Sequence, residues 1–319
     1  MEVVMIGNEK GGAGKTTLTR CLSEALTTLG YRVLIVDWDP SGNLSDCTLP
    51  DFPELVLYDA FCGNCTIEQV ICKTAVGDVL PTIKELTVGG EESNGSLLLD
   101  APNDKSLTLL ANRIFGRAGG ESQLKYFLWS EKHDLPSKYD FVLIDTGPSD
   151  NILVTNAIVA ANSILIACDP DMKSVSGIWK LMSSINIAKR CYVDVKAEID
   201  GVVMTKYSEE KASFRKSIQY LKSSTAEQEI YLYETVMRDA GNVSNAMCDC
   251  RPLLDFQKYT GNGVNDMMNL GCEFLAARGL APKKEFPGVQ KDESGNWVYI
   301  QPERNSPDNK QSTNVRQED

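Results

Sequence analysis

A short apolar run, Val3-Val4-Met5-Ile6, is followed almost at once by Asn8-Glu9-Lys10-Gly11-Gly12-Ala13-Gly14-Lys15-Thr16-Thr17. The run has strand character, and the segment Lys15 to Leu29, closed by Gly30, has helical character. Glycines at 11, 12 and 14 allow the backbone dihedrals needed to turn sharply from one into the other. A strand, a glycine turn and a helix in that order aim backbone N–H groups at one point, which suits a chain of phosphates. The ordinary pattern G-x-x-x-x-G-K-[ST] requires glycine at position 9, where this chain has Glu9. A second lysine, Lys10, stands just before the glycines. Within the loop, Gly11, Gly12, Ala13, Gly14 and Thr17 are expected to approach phosphate oxygens through the backbone. Lys15 is expected to reach the β- and γ-phosphates, and the Thr16 hydroxyl to hold Mg²⁺.

The same architecture repeats along the chain. Arg32–Val36, Phe141–Ile144, Ser163–Ala167 and Gly201–Met204 are apolar runs without polar alternation, and Ile230–Tyr233 is a weaker one. Such runs, separated by helices, mark strands buried on both faces. The expected fold is α/β: a doubly wound, mostly parallel sheet with helices on both faces, of the P-loop NTPase type. Residues 1–282 are expected to form one domain. Gly89–Gly95 reads as a polar loop, and residues 283–319 as a disordered polar tail whose one apolar island is Trp297–Ile300.

With 32 basic and 44 acidic side chains the formal charge is −12, so any contact with nucleic acid needs a local basic patch. No run of about 18 apolar residues suggests a membrane span. Charged Glu9 and Lys10 interrupt the first apolar run, unlike a signal peptide, so a cytoplasmic protein is expected. In that compartment the ten cysteines, Cys62, Cys65, Cys248 and Cys250 among them, read as free thiols rather than a metal site.

Two aspartate motifs complete the chemistry. Val36-Asp37-Trp38-Asp39-Pro40 ends the second strand, where one carboxylate can support Mg²⁺ and the other can orient or deprotonate water. Asp37 has a competing reading, as the cap of the following helix. Phe141–Asp145 is a hydrophobic strand closed by a carboxylate suited to Mg²⁺, and Thr146-Gly147-Pro148-Ser149 is a turn able to sense the γ-phosphate.

The segments Lys10–Thr17, Val36–Asn43 and Asp140–Ser149 together resemble the deviant Walker-A ATPases of the ParA/MinD family, with the ParA/Soj partition ATPases the nearest pattern. Similarity covers most of residues 1–275; Ser41 stands where the family's D-x-D-P-Q-G-N motif has Gln. The resemblance implies ATP and Mg²⁺ as cofactors, slow hydrolysis, and an ATP-sandwich homodimer in which Lys10 crosses to the partner's phosphates. It implies catalytic roles for Lys10, Lys15 and Asp39, metal roles for Thr16, Asp37 and Asp145, and nucleotide contacts for Thr205 and Arg238. It also implies a ParB-like adaptor that stimulates hydrolysis, and non-specific DNA as matrix.

Two departures qualify these implications. In Thr235–Asn242 the chain places Asp239 and Asn242 where partition ATPases often carry DNA-contacting arginines. The remaining basic patch is Lys206, Lys211, Arg215, Lys216 and Lys222, of which Arg215, Lys216 and Lys222 are the expected nucleic-acid contacts. The tail lacks the basic amphipathic helix of membrane-positioning relatives, so no membrane partner is expected. The alternative is an ATP-switched positioning protein whose matrix is a protein scaffold or membrane. A metal-cluster ATPase would require paired cysteines, for which only Cys248-Asp249-Cys250 qualifies.

Overall fold

The computed structural model describes residues 1–83, 105–148, 151–208, 214–257 and 261–302. The Gly89–Gly95 loop, Ser149, Lys211 and the last part of the tail lie outside them. Seven strands form one sheet: β1 (Glu2–Gly7), β2 (Val33–Trp38), β3 (Asp78–Leu80), β4 (Phe141–Thr146), β5 (Ser163–Cys168), β6 (Glu198–Tyr207) and β7 (Leu232–Arg238). Their order is β3-β2-β4-β1-β5-β6-β7, and each neighbouring pair is parallel.

The helices are α1 (Lys15–Thr28), α2 (Asn43–Asp46), α3 (Leu57–Phe61), α4 (Ile67–Val70), α5 (Leu107–Ile114), α6 (Gln123–Leu128), α7 (Leu135–Lys138), α8 (Ile152–Ala160), α9 (Met172–Cys191), α10 (Phe214–Glu227), α11 (Gly241–Cys248), α12 (Leu253–Gln257) and α13 (Asn262–Ala276). Strand residues alternate between two cores. Val3, Met5, Val36 and Ile144 join the layer holding α8 and α9, whereas Val4, Ile6, Ile35 and Leu143 join that holding α1 and α13. Both faces are therefore apolar, which is why the strands read as unbroken hydrophobic runs.

The tail corrects one expectation. Residues 283–302 are ordered and form an antiparallel hairpin of β8 (Val289–Lys291) and β9 (Trp297–Tyr299). Tyr299 is buried in the α13 core layer, and Asn269 of α13 both donates to its carbonyl and accepts from its N–H. Asp292 accepts from the Ser294 and Asn296 amides to close the turn, with Gly295 in the left-handed region at φ 85°. A handful of apolar side chains is enough, because α13 supplies the other half of their contact. Polar composition alone concealed this.

Candidate functional site

The loop after β1 delivers its glycines to the amino end of α1. Gly14 caps that helix in the left-handed region, φ 84°, with no side-chain cap bond and no acidic residue in the first turn. The first-turn N–H groups and the positive end of the helix are thus presented to a cavity of about 340 Å³. Its lining is Gly11 to Thr17, Asp39, Ser41, Asn43, Pro148 and Lys206. A side chain at Gly14 would meet Thr205 at 3.0 Å, so the tight turn also depends on that glycine.

Behind the loop three carboxylates converge. Asp37 and Asp145 are register partners on adjacent strands, both wholly buried on the α1 side of the sheet. Asp145 accepts from the Thr16 hydroxyl at 2.7 Å and the Thr19 hydroxyl at 3.1 Å. Burial pushes its carboxyl up to about 7, with Thr16 opposing and Asp39 adding to the effect. Asp39 lines the cavity, accepts from the Ser41 amide at 2.9 Å and lies against Gly147, where a side chain would come within 3.2 Å of its Oδ1. The Thr16 hydroxyl and the Asp145 carboxylate are hard oxygen donors beside that acid-rich floor, a set that fits Mg²⁺.

Asp37 is also engaged by the helix that follows it. Its Oδ2 accepts from the Ser45 amide at 2.8 Å and the Ser45 hydroxyl at 2.6 Å. It anchors the start of α2, and burial beside Asp145 raises its carboxyl well above the usual carboxylate range. The helix-anchoring reading of Asp37 is thus supported by its partners.

The lysines divide in a way the sequence did not show. Lys15 is buried, and its Nζ donates to the Asn8 carbonyl at 3.0 Å and the Lys10 carbonyl at 3.2 Å. Burial pushes its pKa down, against the raising effect of Asp145 and Asp39. Lys10 does not point across the loop: its Nζ lies 2.6 Å from Asp169 and 3.5 Å from Asp171, just past β5. Asn8, which no sequence motif singles out, locks the loop. It donates to Ala167 and Ser174 and accepts from the Lys10 amide.

The two further expected nucleotide contacts, Thr205 and Arg238, are engaged within the chain. Thr205 donates to the Ala13 carbonyl at 2.6 Å and so braces the loop. Arg238 is held by Asp266 at 2.7 Å. Both still border a smaller recess of about 80 Å³ beside Gly14 and Thr17, walled also by Met237, Val243 and Met247. Arg215, Lys216 and Lys222 lie exposed on α10, away from the cavity lining. Lys206 leaves the anticipated basic patch and joins the phosphate-loop cavity. Its place at the carboxyl end of β6 was the available signal, since ligands of such sheets sit at strand ends.

The ten cysteines are all free, and the described residues contain no group of three or more His, Cys, Asp or Glu able to hold a metal ion. No described helix is long and apolar enough to cross a membrane. A larger groove of about 800 Å³ lies along β7, α13 and the hairpin. It has many carboxylates but no helix amino end or glycine loop.

This geometry defines a deviant phosphate loop at the carboxyl edge of a parallel sheet. The family described as an AAA domain matches residues 1–197. The chain belongs to that family and, with its second loop lysine and paired aspartate motifs, to its ParA/MinD-type ATPases. It is 29% identical over 256 residues to the chromosome partitioning protein ParA of Caulobacter vibrioides, covering 80% of this chain and 86% of that one. Among solved structures, an ATP complex of Cyanothece McdA superposes with a TM-score of 0.68 at 17% identity, covering 91% of this chain and 99% of that one. The septum site-determining protein MinD of Pyrococcus horikoshii, complexed with Mg-ADP, gives 0.63 at 19% identity, covering 85% and 95%.

Proposed function

We propose that the protein is an ATP-dependent, dimerising ATPase that acts in partitioning or positioning of a cellular cargo. One observation carries this reading: the amino end of α1, without a side-chain cap, brings Lys15 and Thr16 to the cavity, with Thr16 bonded to Asp145 and with Asp39 in the cavity wall. In use, loop amides and Lys15 hold the phosphates, while Thr16 and Asp145 hold Mg²⁺. Mg²⁺ held by Thr16 and Asp145 would supply charge neutralisation for the transferred phosphoryl group. Asp39 orients or deprotonates the attacking water. Lys10 must leave Asp169 and Asp171 before it can reach a partner's phosphates, which ties dimerisation to rupture of an internal ion pair.

The decisive experiment is light scattering of the full chain with Mg-ATP. Wild type should dimerise with ATP and not with ADP, and Lys10→Ala should stay monomeric. A Lys10→Ala protein that dimerises as wild type does removes the sandwich from the mechanism. A ParB-like adaptor that accelerates hydrolysis, and DNA held through Arg215, Lys216 and Lys222, complete the leading version in a cytoplasmic setting. Exposed Asp239, at a position where partition ATPases often carry arginine, favours a second version in which a protein scaffold is the matrix.

A further inference from the structure

Lys206 occupies a backbone position that a lysine does not ordinarily take. Its φ is 51°, in the left-handed region that favours glycine. It falls at an irregularity of the β6–β7 ladder: Met204 pairs with Val236 and Tyr207 with Arg238, so β6 holds one residue more than its neighbour between the two pairs. Bulges of this kind re-aim a side chain, and strained non-glycine residues cluster where a ligand is handled.

Here the re-aiming is toward the loop. Thr205, the preceding residue, is fixed to the Ala13 carbonyl at 2.6 Å, which clamps the end of β6 against the glycines. The Lys206 Nζ then lies 4.0 Å from the point where a side chain on Gly12 would begin. The residue is exposed, lines the same cavity as Asp39 and Thr16, and has no hydrogen-bond or ion-pair partner among the described residues. Lys15 and Lys10, by contrast, are both tied to groups of their own chain.

We infer that Lys206 is a phosphate-binding cation supplied in cis, engaging the polyphosphate of a bound nucleoside di- or triphosphate from the β6 side of the loop. The inference rests on the nucleotide reading given above and deepens it. It gives each protomer a cation over the glycine turn before any partner's Lys10 arrives. Nucleotide capture by the monomer and dimerisation on it become separable steps, the first dependent on Lys206 and the second on Lys10.

The test is calorimetric binding of Mg-ATP, Mg-ADP and adenosine to the full chain at several salt concentrations. Lys206→Met removes the charge and keeps the bulk, whereas Lys206→Gly removes the charge and relieves the backbone, which protects the test against a folding defect. Both should bind ATP and ADP about tenfold more weakly, the scale of one hydrogen bond to a charged group, and should lose part of the salt dependence. Adenosine binding should be unchanged, and Lys206→Arg should restore most of the ATP affinity. Wild-type ATP affinity and salt dependence in both uncharged variants overturn the inference. Equal weakening of ATP and adenosine does so too, because it assigns Lys206 a purely structural role. If wild type itself fails to bind ATP, and Lys15→Ala changes nothing, the nucleotide reading falls instead.

Discussion

The phosphate-loop end of the sheet and its β7 edge are both concave and polar, yet they treat polar groups in opposite ways. Along β7 the groups are matched within the fold. Glu273 of α13 accepts from the Tyr231 hydroxyl and from the amides of Glu234 and Thr235, and Asp266 accepts from the Arg238 amide and guanidinium. An edge strand that would otherwise expose its amides is thereby sealed by carboxylates. At the loop, the α1 amides have no side-chain cap and Lys206 projects into the cavity. The contrast teaches that cavity volume is a poor guide to function here: the larger groove is already satisfied, and the smaller one awaits an anion.

The largest expected effect breaks this comparison at the loop. Lys15→Ala should weaken Mg-ATP binding by about a hundredfold, since a desolvated charge contact to phosphate disappears along with its preorganisation. Glu273→Gln should leave that affinity unchanged. Isothermal titration on the two variants decides the matter, and equal losses would mean that the edge groove takes part in nucleotide binding. Next in size is Asp39→Ala, expected to lower ATP turnover by about a hundredfold while ATP binding is kept, the range ordinary for a positioned proton acceptor. Undiminished turnover in a phosphate-release assay would exclude Asp39 from the chemistry.

At the edge the expected change is in stability rather than binding. Glu273→Ala leaves two β7 amides and the Tyr231 hydroxyl without their acceptor, for a cost of about 2 kcal/mol after solvent access is allowed for. Thermal unfolding should start several degrees lower, with nucleotide affinity untouched.

These two regions also differ in how far the chain announced them. The turn from β1 into α1 was legible, because glycine spacing with a lysine and a threonine at a helix start has few alternative uses. The parallel sheet followed from unalternated apolar runs, and the carboxylates Asp37, Asp39 and Asp145 from their strand-end placement, whereas the order of the strands is known from the structure alone. Partnerships across long sequence separations were not legible. Nothing local marks Lys10 as the partner of Asp169 or Arg238 as held by Asp266. The hairpin at 289–299 was hidden for the same reason, since its burial depends on α13 rather than on its own composition.

The exposed face of α10 is the intermediate case, and carries the smallest expected effect. Arg215, Lys216 and Lys222 have no ion pair among the described residues, like Lys206, but they project into solvent from the exposed face of a helix whose other face is buried through Leu221. Unpaired cations there cost little, because solvent satisfies them, so their lack of partners is a weaker pointer to a ligand than at the loop. If DNA is the matrix, Arg215→Glu with Lys216→Glu should reduce ATP-dependent binding to random-sequence DNA. Its salt dependence should flatten as well, because fewer phosphates are neutralised and fewer counterions released. If affinity and salt slope are the same in variant and wild type, α10 is only a solvated face. The rule that unmatched polar groups mark function would then hold at the loop, where burial gives it force, and stop there.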